Sequence, residues 1–91
     1  MCLNMPPELE QRVRRSFRLC ALIMRELRSR AKPLDELRGK AREAGFTDEE
    51  FDDAIDWLYR RGEIDFWPGG KVSAWNPWFY LRIYEKLAQE T

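Results

Sequence analysis

Histidine is absent from this 91-residue chain. That removes the side chain most often used as a general acid, general base or triad member near neutral pH. Cysteine is scarce, with only Cys2 and Cys20, too few for a structural zinc site or a disulfide framework. Cys20 sits in the apolar stretch Leu19-Cys20-Ala21-Leu22-Ile23-Met24, where a buried, unreactive thiol is expected. No apolar run approaches the roughly 20 residues that span a bilayer. The opening residues, MCLNMPPELEQ, have neither the basic n-region nor the apolar h-region of a secretory signal. A cytoplasmic location is therefore expected. Glycine-rich phosphate loops and nucleophile motifs are also missing. Solvated helix faces explain the Asp and Glu pairs without a pocket. The expectation is a protein that is not an enzyme, with no cofactor and no metal.

Net charge is absent as well, because 16 basic residues balance 16 acidic ones. The charges are nevertheless sorted along the chain. Residues 1–42 hold eleven Lys/Arg against five Asp/Glu, and residues 43–91 hold five against eleven, so the halves carry +6 and −6. Hydrophobic residues make up 44% and charged ones 35%, a globular composition. The length suits one small domain.

The best-marked stretch is 45–75, GFTDEEFDDAIDWLYRRGEIDFWPGGKVSAW. Thr47 is placed as a helix N-cap, Glu50 can close a capping box, and Phe46 and Phe51 occupy hydrophobic-staple positions. Beyond Gly62 the periodicity changes to alternation, with Ile64 and Phe66 on one face and Asp65 and Trp67 on the other. Pro68-Gly69-Gly70 then reads as a turn into a second strand, which predicts a β-hairpin. Upstream, Leu9, Val13, Phe17, Cys20, Met24, Leu27 and Ala31 repeat at helical spacing and predict a first helix over 8–30. Between Leu19 and Met24 the apolar residues nearly encircle it, as in a helix enclosed on several sides. Lys32-Pro33 breaks it, a shorter helix follows over 34–44, and Gly45 stops that one. Asn76-Pro77 opens a terminal helix. The expected organisation is a disordered leader at 1–7, a domain at 8–76, and a C-terminal helix at 77–91 available for dimerisation or a partner.

Helix, helix, helix and two-stranded wing, in the order 8–30, 34–44, 48–61 and 63–75, resembles a winged-helix domain. The segments that carry the resemblance are LRSRAKPLDELRGKAREAGFTDEEFDDAIDWLYRRGEIDFW and PGGKVSAW, residues 27–75, or 49 of the 91. The fold class expected is mainly α with a small antiparallel β-hairpin: a winged helix-turn-helix with an N-terminally extended first helix and an added C-terminal helix. The resemblance implies that the third helix enters a DNA major groove while the wing touches the backbone or the minor groove. Here that helix instead offers Asp48, Glu49, Glu50, Asp52, Asp53 and Asp56, where base edges and phosphates call for Arg, Lys, Asn or Gln. Groove reading by this helix is disfavoured on charge.

Two functional readings follow for a small regulator or accessory factor of nucleic-acid machinery. In the first, DNA or RNA is gripped through phosphates, without sequence reading, by Arg12, Arg14, Arg15, Arg18, Arg38, Lys40, Arg42 and Lys71. The plainer explanation of the same arginines is a solvated helix surface. In the second, Asp52, Asp53, Asp56, Trp57 and Trp67 dock a protein partner, or mimic nucleic acid in the site of another protein. The plainer explanation of the two tryptophans is packing against the terminal helix. Trp78, Phe79, Leu81, Ile83 and Leu87 give the terminal helix more apolar surface than one docking stripe needs, and are the candidates for a homodimer contact. No membrane and no small-molecule substrate is expected.

Overall fold

The computed structural model describes residues 6–89, so residues 1–5 of the expected leader and residues 90–91 of the expected last helix lie outside the described residues. The elements in chain order are α1 (Pro7–Glu26), β1 (Lys32–Pro33), α2 (Leu34–Glu43), α3 (Asp48–Arg60), β2 (Ile64–Trp67), β3 (Lys71–Ala74) and α4 (Pro77–Gln89). The fold is mainly helical with one small antiparallel sheet, in strand order β1-β3-β2.

Local chemistry accounts for the boundaries. Thr47 Oγ1 accepts from the Glu50 backbone N–H, and Glu50 Oε1 accepts from the Thr47 N–H, so the capping box is closed. Both α2 and α3 end in the same device. The N–H groups of Gly45 and Phe46 donate to Arg42 and Ala41, and those of Gly62 and Glu63 donate to Tyr59 and Leu58, each pair forming a Schellman motif. The glycines take φ of +93° and +74°, a region that L side chains enter only at a cost. The hairpin pairs Phe66 with Val72 and Trp67 with Lys71.

Two boundaries differ from expectation. α1 ends at Glu26, about a turn early, and Lys32-Pro33, read as a simple break, forms the edge strand β1 against Val72 and Lys71. The cause is non-local. Pro33 holds Lys32 extended, an edge strand tolerates the missing proline N–H, and the Leu34 N–H donates to the Gly70 carbonyl at 2.9 Å. Pairing with a distant hairpin overrides the local helical pattern.

The core forms around the second half of α1. Leu19, Cys20, Ala21, Ile23, Met24 and Leu27 are buried with Leu37 and Ala41 of α2, Phe51, Ala54, Ile55 and Leu58 of α3, Ile64 and Val72 of the sheet, and Leu81 and Tyr84 of α4. This explains the nearly encircling apolar residues there. Each Leu, Ile or Phe buried in this way contributes ~1.5–3 kcal/mol. The start of α1 projects past the core, leaving Leu9 exposed and Val13 half-buried, although both share the helical stripe. α4 lies antiparallel on α1: Trp78 meets Arg28 at one end, and Gln89 shares a cleft with Arg18 at the other.

Candidate interaction surface

The basic residues expected to grip phosphate are distributed in two ways. Arg14 bonds Glu10 at 3.0 Å. Arg15 donates from Nε and Nη2 to the Glu50 carboxylate and from Nη2 to the Gly45 carbonyl, with its guanidinium over the Phe46 ring at 4.6 Å. It thereby clamps the turn between α2 and α3. The Arg15 hydrogen bond holds the Glu50 carboxyl down at about 2. Arg38 bonds Asp52 at 2.9 Å, and Arg42 forms a two-pronged bond to Asp48 at 2.7 and 2.8 Å that lowers the carboxyl's pKa. Arg12, Arg18, Lys40 and Lys71 are exposed and carry no ion pair among the described residues. These four do not converge. Lys71 follows the hairpin turn, Lys40 is on α2, and Arg12 and Arg18 point ~120° apart on α1.

The charge asymmetry of the sequence is thus folded against itself. Arg15–Glu50, Arg25–Glu85, Arg38–Asp52 and Arg42–Asp48 each join the basic half to the acidic half. Exposed pairs of this kind contribute ~0–1 kcal/mol each. Their larger effect is to cancel the field that a phosphate backbone would meet. A cleft of about 440 Å³ beside α1 repeats the pattern, since its flanking Arg15 and Arg25 are already bound to Glu50 and Glu85.

Around α3 the arrangement is different. Asp52 is bridged to Arg38, and Asp56 to Arg60 at 3.0 Å. Asp53 has no ion pair among the described residues and stands at the rim of an apolar groove of about 360 Å³. Val13, Phe17 and Cys20 of α1, with Ala54 and Trp57 of α3, also line it. The Trp57 indole forms one wall and remains 46% exposed. It does not simply pack away against α4: its Nε1–H donates to Tyr84 Oη at 3.4 Å, and the Arg61 guanidinium lies 5.1 Å from the ring centroid.

Behind Trp57 lies a buried network that no sequence pattern singled out. Glu63 is only 1% exposed. Its carboxylate accepts from Tyr84 Oη–H at 2.5 Å and from Arg61 Nε–H at 2.7 Å. Burial, and then the bond to Glu63, raise the Tyr84 hydroxyl's pKa, so it stays a donor. Burial and the neighbouring Glu63 charge push the Cys20 thiol up to about 12, which leaves it protonated and unreactive. A Glu just before an alternating strand gives no sign of burial. The one available hint was Tyr84, which lies on the same helical stripe as Leu81.

Trp67 is 56% exposed at the end of β2, its Nε1–H donating to Ser73 Oγ at 2.7 Å. Beside the hairpin, Tyr59 and Phe66 form a tilted pair with centroids 5.1 Å apart, and both are about half exposed. Sequence reasoning had not included them. Of the terminal-helix candidates, Trp78, Phe79 and Ile83 are exposed, whereas Leu81 is buried in the core and Leu87 packs against it. Leu81 and Leu87 are thus occupied by docking α4 onto the domain.

Among the described residues no helix is long and apolar enough to cross a membrane, and no three metal-ligating side chains cluster. Comparison with protein-family models, curated proteins and solved structures gives no match.

Proposed function

We propose that this chain is a non-enzymatic winged-helix module, an accessory factor of nucleic-acid machinery that docks a protein partner through α3 and the β2–β3 hairpin. The winged-helix reading is supported by the order of elements: three helices and a hairpin, with a short strand between the first two helices completing the sheet beside β3. The docking reading rests on one observation. Trp57 of α3 and Trp67 of the hairpin are 46% and 56% exposed, and Tyr59 and Phe66 are 52% and 45% exposed, although tryptophan is highly buried on average. Clustered exposed aromatics mark interaction sites, and tryptophan is prominent among the residues that dominate interface energy.

Within this surface Trp57 is the anchor. Tyr84 and Arg61 hold its ring, which lowers the entropy lost on contact, and Asp53 beside it offers an unneutralised charge. Trp67, with the Tyr59–Phe66 pair, forms a second exposed aromatic group at the hairpin, Tyr59 lying ~160° round α3 from Trp57. Contact with nucleic acid through the basic residues of α1 and α2 is the weaker part of the earlier expectation, since Arg14, Arg15, Arg38 and Arg42 are engaged within the chain.

The test is quantitative cross-linked capture from native cells, comparing the wild-type chain with Trp57→Ala, Trp67→Ala and Asp53→Asn. Each variant is first checked for an unchanged circular-dichroism spectrum. The expected result is a partner retained by the wild type and depleted by the tryptophan variants. Equal recovery by all four proteins contradicts the reading.

A further inference from the structure

A second face, away from α3, has a different chemistry. At about 100° per residue, Trp78, Arg82, Lys86 and Phe79 fall within one arc of about 100° on α4, turned from the buried Leu81 and Tyr84. Trp78 and Phe79 are 55% and 52% exposed, and Trp75, just before the helix, is 65% exposed. Across from the start of α4, the Arg28 guanidinium sits 5.5 Å from the centroid of the Trp78 ring. Arg30 follows two residues later, exposed, with a bond only to the neighbouring Ala31 carbonyl.

The contrast with the rest of the surface decides what this face suits. Arg14, Arg15, Arg25, Arg38, Arg42, Arg60 and Arg61 all meet carboxylates, while Arg28, Arg30 and Arg82 meet none among the described residues; Arg12 and Arg18 are unpaired too, but of these five arginines Arg28 is the one that lies over an aromatic ring among the described residues. Arg28 over the Trp78 ring, and Arg82 one turn further along α4 from it, combine a grip for phosphates with exposed rings as platforms for flat bases. That pairing of features recognises single-stranded nucleic acid. A duplex keeps its bases stacked inside and cannot use the rings. A second copy of the chain, related by a two-fold axis, would set these arginines against their own counterparts.

We infer that the face formed by Arg28, Arg30, Trp75, Trp78, Phe79 and Arg82 binds single-stranded DNA or RNA, with bases stacked on the rings and phosphates held by the arginines. This site is independent of the α3 surface and of the protein partner proposed for it. The face thus supplies the contact with nucleic acid that the paired arginines of α1 and α2 do not.

The test uses the full chain and fluorescein-labelled 15-nucleotide probes: oligo-dT, a mixed-sequence RNA, and the duplex of the same length. Anisotropy and quenching of intrinsic tryptophan emission are the readouts. Single strands are expected to bind at least tenfold more tightly than duplex and to quench tryptophan. With about three phosphates neutralised, affinity should fall roughly 20-fold between 50 and 200 mM salt. Trp78→Ala should weaken binding about tenfold or more, and Arg28→Gln with Arg82→Gln should flatten the salt dependence. Asp65→Asn, an exposed change on β2, should bind as the wild type does. The inference is overturned by any of four results: no binding at 50 mM salt, equal affinity for duplex, equal quenching by poly-glutamate (which assigns the face to an acidic protein), or a doubled mass by light scattering that Trp78→Ala abolishes without nucleic acid.

Discussion

Changing Tyr84 to Phe removes one oxygen atom from the centre of the buried network and little else. The lost O–H donates to Glu63 Oε1 at 2.5 Å, and Glu63 is only 1% exposed, so water cannot take the donor's place. A hydrogen bond to a charged acceptor contributes ~1.5–3 kcal/mol. The bond that Tyr84 accepts from Trp57 is longer, at 3.4 Å, and the half-exposed indole can turn to water, so its loss adds little. A destabilisation of about 2 kcal/mol is expected, equivalent to a fall in Tm of roughly 8–16 °C for a domain of this size. Glu63→Gln keeps an oxygen for the tyrosine hydroxyl and releases Arg61, whose side chain is 51% exposed, to solvent, so about half that loss is expected. Thermal melts and urea titrations at pH 7, with an unchanged m value, measure both variants, and the double variant gives their coupling. A Tyr84→Phe protein melting within about 2 °C of the wild type would refute the view that this network ties α4 to α3.

Two further outcomes follow from the geometry. Arg15 holds the Glu50 carboxyl at about 2 against an ordinary 4.5. A depressed carboxylate stabilises the fold above the unfolded value and loses that contribution as pH falls from 4.5 towards 2. With the Glu50 side chain about a third exposed, screening reduces the contribution to about 1 kcal/mol. Glu50→Gln should therefore destabilise at pH 7 by that amount and converge with the wild type near pH 2 in urea titrations; a gap independent of pH contradicts the assignment. Gly62 has φ of +74° with no atom within 4 Å of an added Cβ, so Gly62→Ala should cost about 1 kcal/mol from the backbone alone. A neutral or stabilising result by chemical denaturation would contradict the Schellman ending.

The sequence was most legible where the determinants are local. Thr47 and Glu50 lie three residues apart and specify the α3 start together, and Ile64, Phe66 and the two turn glycines specify the hairpin. What escaped reading depends on partners far along the chain. Lys32-Pro33 becomes a strand only because Lys71 and Val72 arrive beside it. Leu9 shares a helical stripe with Met24 but is exposed, because nothing of the described chain packs over the start of α1. The blocks of +6 and −6 charge left their arrangement in space open, and Arg15, Arg25, Arg38 and Arg42 cross to acids more than five residues away. Glu63 and Tyr84 look like a surface carboxylate and an apolar-stripe tyrosine, and only their 21-residue-apart contact makes them a core pair. The exposure of all four tryptophans was equally hidden, since periodicity assigns a face and not its neighbours.

Those tryptophans also give the most direct test that function is divided between two faces. Incorporating 5-fluorotryptophan gives one fluorine resonance for each of Trp57, Trp67, Trp75 and Trp78, assigned by single Trp→Phe variants. Titration with the captured protein partner is expected to shift Trp57 and Trp67 alone, and titration with oligo-dT to shift Trp75 and Trp78 alone. If both ligands move the same resonances, or neither moves any, the division of the surface into a protein-docking face and a nucleic-acid face is contradicted.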